Sequence, residues 1–101
     1  MKAYLVLDLA IRDMTGFAPY VAAIPTVFGK HGGRYLVQGT DPTVIEGDWV
    51  PDRLVIIEFP SREDAQAFLA DPEAQPLFAV RHRTTISKLV LVDELRPEQV
   101  R

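Results

Sequence analysis

Apolar side chains occupy nearly every position of the opening stretch. Leu5, Leu7 and Leu9 alternate with Tyr4, Val6 and Asp8, so both sides of residues 2–10 are largely apolar, as in a strand covered on each face. The period then changes. Over residues 15–31, Phe17, Tyr20, Val21, Ile24, Val27 and Phe28 fall on one helical stripe. Asp13 or Thr15 can cap its start, and Pro19 is tolerable in a first turn. Pro25 removes an interior donor and predicts a kink or a split. Gly32 and Gly33 signal the helix end. Residues 34–38 read as a second strand. Gly39 to Pro51 form a long connection with a short strand expected at Thr43–Ile45, and residues 53–59 form a third strand. Ser61 caps a second helix with Asp64 as a capping-box partner, and Ala65, Phe68 and Leu69 make its inward stripe. Asp71-Pro72 ends that helix and is expected to open another, with Asp71 as N-cap and Pro72 at its first position. Ala74, Leu77, Phe78 and Arg81 continue at helical spacing, and residues 85–93 form the last strand. Residues 1–95 therefore read as one domain, followed by a polar tail at 96–101.

The order β-α-β-β-α-β is the split βαβ, ferredoxin-like pattern of an α+β fold. Right-handed crossovers imply two parallel pairings within a four-stranded antiparallel sheet, with the first and third strands as central neighbours. Helices cover only one face of such a sheet. The other face carries Tyr4, Val6 and their apolar counterparts on the third strand, an exposed patch on the order of several hundred Å² that a soluble monomer rarely leaves open. Two copies packed face to face would cover it, which predicts a homodimer, a dimeric α+β barrel. The alternative is a monomer whose tail or long loop covers that face.

Composition narrows the chemistry. The chain has 101 residues, 48% hydrophobic and 25% charged, with a net charge of −3. That suits a single globular domain and argues against nucleic acid as a partner, since a phosphate-binding surface carries a basic surplus. Arg81, His82 and Arg83 form the tight basic cluster and read as surface. There are no cysteines, which removes disulfides, thiolate metal sites and a cysteine nucleophile, and fits a reducing compartment. Asp8 interrupts the N-terminal apolar run, and no stretch approaches the ~20 apolar residues of a membrane span. The expectation is a cytoplasmic protein that does not enter a membrane.

Three ordered motifs carry a family resemblance: GGRYLVQG at Gly32–Gly39, EGDW at Glu46–Trp49 and RLVIIEFPS at Arg53–Ser61. Together with Ala65 and Arg81 they resemble the domain-of-unknown-function 1330 family over nearly the whole chain. The resemblance implies a ferredoxin-like fold within the dimeric α+β barrels. That superfamily includes cofactor-free monooxygenases, isomerases, haem proteins and ligand-sensing domains, so it does not select a reaction. Two departures stand out: Gln38 occupies the place of a common family arginine, and Ala74 that of a family tyrosine.

Candidate chemistry falls on a few charged groups. Asp8 and Glu58 lie on neighbouring central strands, and two carboxylates close together in a dry site would supply acid/base chemistry; the alternative is that each is solvated or paired with an arginine. His31, beside the helix-ending glycines, suits a general base, a haem ligand or a helix-capping charge. Arg34, Arg53 and Arg81 can hold a carboxylate ligand or neutralise Glu46 and Glu58. Trp49 suits a pocket wall or an interface anchor. Phe17, Phe28 and Phe78 are expected to line a cleft between helices and sheet. The two histidines are far apart and present no metal-ligand spacing. The expected function is that of a small enzyme without metal or cofactor, acting on an organic acid or aromatic in that cleft. The alternative is a non-catalytic homodimer that binds a metabolite or acts as an interaction module.

Overall fold

The computed structural model describes residues 1–96 and residue 98. Four strands and three helices follow in the order β1 (Ala3–Ile11), α1 (Met14–Gly29), β2 (Arg34–Thr40), β3 (Arg53–Phe59), α2 (Arg62–Ala70), α3 (Gln75–Thr84) and β4 (Thr85–Asp93). The sheet order is β2-β3-β1-β4 and every neighbouring pair is antiparallel. This is the ferredoxin-like arrangement, with β1 and β3 central. The two parallel pairings expected from the crossovers do not occur, because β3 lies between β1 and β2 and β1 lies between β3 and β4. Most of the polar tail expected at 96–101 lies outside the described residues.

Alternation along β1 divides the molecule. Ala3, Leu5, Leu7 and Leu9 are buried, and the intervening Tyr4, Val6, Asp8 and Ala10 are half-buried. The first set faces the helices and joins Ile57 and Phe59 of β3 in the core. Helix α1 adds Phe17, Tyr20, Ile24, Val27 and Phe28 at the predicted spacing. Phe68 of α2 lies at the aromatic centre, 5.5 Å from Phe59, 6.1 Å from Phe28 and 5.4 Å from Phe78 between ring centroids. Phe28 and Phe78 therefore build the core rather than a cleft wall, and only Phe17 of the three expected aromatics reaches the cavity described below.

The capping signals are realised with one exception. Asp13 accepts from the Gly16 amide at 3.0 Å. Ser61 accepts from the Asp64 amide at 3.1 Å while its hydroxyl donates to the Asp64 carboxylate at 2.9 Å. Asp71 caps a turn instead of a helix: it accepts from the Glu73 amide at 2.8 Å, and α3 starts only at Gln75. Helix α1 is continuous through Pro19 and Pro25, contrary to the predicted split. The carbonyls these prolines leave without a partner belong to Thr15 and Val21, which lie on the exposed flank where water can reach them. No strand forms at Thr43–Ile45; residues 41–52 are an irregular loop closed by the Asp41 amide donating to the Asp52 carbonyl at 3.0 Å.

The glycine pair after α1 does two different jobs. Gly32 has φ +77° and reverses the chain. Gly33 lets strand β2 approach the core: a Cβ there would sit 2.7 Å from the Phe59 ring and 2.9 Å from the Phe28 carbonyl. Gly33→Ala should therefore lower stability in urea unfolding by about 1–3 kcal/mol. Gly29→Ala, where an added Cβ meets nothing within 4 Å, should be neutral or slightly stabilising.

Candidate functional site

A cleft of about 260 Å³ lies between α1 and the sheet. Leu7 and Leu9 of β1 and Val55 and Ile57 of β3 line it from the sheet; Met14, Phe17, Tyr20 and Val21 line it from the first half of α1. Tyr35, Gln38 and Thr40 of β2 and Arg53 of β3 supply the polar groups. A bulge between Tyr35 and Val37 makes this possible. It shifts the alternation of β2 so that Tyr35 and Gln38, three residues apart, share the cleft face opposite Ile57 and Val55. Gln38 and Thr40 are exposed at the mouth.

The cleft lining contains a guanidinium and two phenols but no carboxylate or imidazole. Burial pushes the Tyr20 and Tyr35 phenols above their ordinary pKa; for Tyr20 the nearby Arg81 charge offsets part of the rise. Both phenols are therefore hydrogen-bond donors at neutral pH. Phe17 stacks on Tyr20 with centroids 5.0 Å apart, which fixes the ring.

Behind Tyr20 lies Arg81, only 5% exposed. The basic cluster read as surface thus divides: Arg81 turns inward while His82 and Arg83 remain exposed. Its Nη1 donates to the Ser87 hydroxyl at 2.8 Å, its guanidinium carbon is 5.9 Å from the Tyr20 centroid and 5.5 Å from that of Phe78, and its Nε has no partner. Burying a cation costs several kcal/mol, and two aromatic faces return about 1–2 kcal/mol each. Ion pairs among the described residues use other groups: Lys2 and Arg34 with Glu58, Lys30 with Asp71 and Glu73, His31 with Asp71, Arg62 with Asp93.

The remaining candidates from the sequence are elsewhere. Glu58 pairs across the sheet with Tyr4, on the face away from the helices, where Arg34 donates to it at 3.1 Å and the Lys2 ammonium lies at 3.7 Å. Asp8 shares that face, but its β3 partner is Leu54, four residues from Glu58. The two carboxylates are thus separated by about 13 Å of strand and form no acid/base pair. Asp8 instead accepts from the Trp49 indole at 2.8 Å. That bond holds the 41–52 loop over a second, shallower hollow of about 500 Å³ that also involves Ala10, Asp48, Val50, Asp52, Ile86 and Lys88. Glu46 lies exposed in the same loop beside Gly47, whose φ of +89° makes the expected turn. Among the described residues, no group of three or more His, Asp or Glu is placed to hold a metal and no helix is long and apolar enough to cross a membrane.

His31 contacts the Asp71 carboxylate at 2.8 Å, and Lys30 reaches the same oxygen at 3.0 Å. This cluster ties the end of α1 to the turn before α3. The contacts of His31, the Glu73 amide and Lys30 hold the Asp71 carboxyl well below the usual carboxylate range. A depressed native pKa stabilises the fold above the unfolded-state value of about 3.9, and that stabilisation is lost as pH falls toward the native pKa. Asp71→Asn should accordingly be less stable than wild type at pH 6 in urea unfolding, with the difference shrinking as pH falls from 4 to 2.

Sequence reasoning passed over Tyr20, Tyr35, Gln38 and Thr40 as cleft groups. The bulge hid Gln38, and Tyr20 read only as part of the apolar stripe of the first helix. For Arg81 the signal was present: a cation in register with Ala74, Leu77 and Phe78 on an inward stripe.

Comparison with known proteins agrees with this architecture. Residues 2–95 match the model of a domain of unknown function, DUF1330. No curated protein matches the chain in sequence. A protein of unknown function from Rhodopseudomonas palustris is similar in structure, with a TM-score of 0.77 at 21% identity over 95% of this chain and 84% of that one. SnoaB, a cofactor-independent oxygenase from Streptomyces nogalater, aligns over 98% of both chains with a TM-score of 0.65 and 14% identity. A dimeric ferredoxin-like protein of unknown function from Jannaschia sp. CCS1 gives a TM-score of 0.72 at 10% identity, covering 93% of this chain and all of that one. At these identities the likeness establishes the fold.

Proposed function

The chain belongs to the DUF1330 family, and we propose that it works as a homodimer in which each subunit takes a small aromatic acid into the cleft between α1 and the sheet. The observation that carries this reading is the lining. An apolar hollow of about 260 Å³ holds one guanidinium, Arg53, together with the neutral donors Gln38, Thr40, Tyr20 and Tyr35. An aromatic body suits the leucine, valine and phenylalanine walls, and an anionic oxygen suits the donors. The size favours a small ligand.

Assembly as a dimer is supported by the opposite face. Val90, Val92 and Ile86 of β4 pair with Val6, Tyr4 and Ala10 of β1 there and are 56%, 44% and 54% exposed. The same fold is dimeric in the Jannaschia protein. The shared fold with a cofactor-independent oxygenase supports an enzyme that acts on the bound aromatic without a cofactor. In that case the cleft's donors would stabilise an oxyanion as charge develops on the substrate. An acid/base role for Glu58, Asp8 or His31 would require a site outside this cleft.

Thermal shift and calorimetric titration with 2-naphthoate test the reading. Binding should raise the melting temperature, and Arg53→Gln should weaken affinity about tenfold to a hundredfold while leaving the unliganded melting temperature within a few degrees. An unchanged affinity in Arg53→Gln would remove the arginine from the site.

A further inference from the structure

Arg53 of β3 and Ser87 of β4, the residue that holds Arg81 of α3, share one row of the sheet. Leu9 of β1 pairs with Arg53 on one side and with Ser87 on the other, and Arg81 donates to Ser87 at 2.8 Å. Cross-strand partners project from the same face, so both guanidinium groups belong to the helix-covered side. Their anchoring strand positions are two strand spacings apart, about 10 Å. Tyr20 connects the two environments: it lines the cleft that Arg53 also lines, and its ring lies 5.9 Å from the Arg81 guanidinium carbon.

The geometry points to Arg81 as a positioning residue that acts through Tyr20, preparing the phenol to donate a hydrogen bond to the ionised oxygen of an aromatic acid or phenolate in the cleft. This rests on the cleft being the ligand site. Three observations carry it. The Arg81 charge is not cancelled, since among the described residues it forms no ion pair, its Nη1 donates to the neutral Ser87 hydroxyl and its Nε has no partner. Water does not screen it, since the residue is 5% exposed, and a charge in that setting acts strongly on its neighbours. The phenol is held in place by Phe17, which stacks on its ring. Burial keeps Tyr20 protonated, and the adjacent cation makes the same proton more acidic. A donor of that kind discriminates by charge: it favours an oxyanion over a neutral oxygen of the same shape. The cleft's ligand is then an aromatic held in its anionic form, with Arg53 at one end of the row and the Tyr20–Arg81 pair toward the other.

Two readouts test the inference. Ring-carbon-labelled tyrosine allows the three tyrosines to be titrated individually by NMR. Arg81→Gln should raise the Tyr20 midpoint by about one pH unit or more, and Arg81→Lys, which keeps the charge, should hold it near wild type. The second readout is the preference for 2-naphthoate over the neutral 2-naphthamide. That preference should fall about tenfold in Arg81→Gln, about tenfold in Tyr20→Phe, and about tenfold rather than a hundredfold in the double variant, because the arginine acts through the phenol. Arg81→Lys should retain the preference within about threefold, and it decides the matter if the glutamine variant does not fold. An unmoved Tyr20 midpoint, additive losses in the double variant, or equal loss of both ligands would each overturn the role assigned to Arg81. If wild type binds neither ligand, the cleft reading fails and this one with it. If naphthoate binds and Arg81→Gln keeps the full preference, this inference alone fails.

Discussion

The alternation of β1 is the constraint from which the rest of the structure follows. As the strand between β3 and β4, it presents Leu5, Leu7 and Leu9 to the helices and Tyr4, Val6 and Asp8 to the other side. A strand has no third direction, so whatever the helices leave uncovered must meet solvent or another surface. All the helical cover goes to one face. That face becomes both core and cleft: α1 is buried at Phe17, Tyr20, Ile24, Val27 and Phe28, and the cavity opens beside its first half, where Phe17 and Tyr20 share the lining with the exposed Met14 and Val21. The other face retains an apolar centre with charged groups at its two ends: Glu58 with Arg34 and Lys2 at one, Asp8 with Trp49 and Lys88 at the other.

Charge is distributed unevenly between these faces. Outside the cleft, Glu58, Asp71, Glu73 and Asp93 each meet a basic side chain, and the Asp71 cluster fastens α1 to the turn before α3. Within the helix-covered layer two guanidinium groups, Arg53 and Arg81, have no carboxylate among the contacts described. A protein gains little stability from a buried, unmatched cation. Its retention beside Tyr20 is more readily understood as the making of an electropositive cleft than as a means of holding the fold together. In the proposed function the sheet separates two jobs, recognition of a small anion on one side and contact with a second copy on the other.

Much of the fold was legible in the sequence because it depends on local periodicity. The two-sided strand at Leu5–Leu9, the stripe from Phe17 to Phe28, the Ser61–Asp64 cap and the Gly32–Gly33 stop each follow from neighbouring residues. The site was less legible because it depends on register and on non-local geometry. Asp8 and Glu58 lie on adjacent strands, yet antiparallel pairing sets them four residues apart, which no spacing rule predicts. The bulge in β2 turns Gln38 into the cleft against simple alternation. Pro25 looked like a helix breaker because sequence alone does not show that the carbonyl it strands faces water. Arg81 was visible as a cation on an inward stripe, but its lack of a carboxylate partner emerges only when α3 is packed against α1 and β4.

Native mass spectrometry with and without 2-naphthoate tests the division of labour between the two faces most directly. The account predicts a particle of two chains in both cases, carrying two naphthoates when the ligand is present, since ligand and partner use opposite sides of one sheet. A single-chain particle, or one that separates into single chains as naphthoate binds, would contradict it.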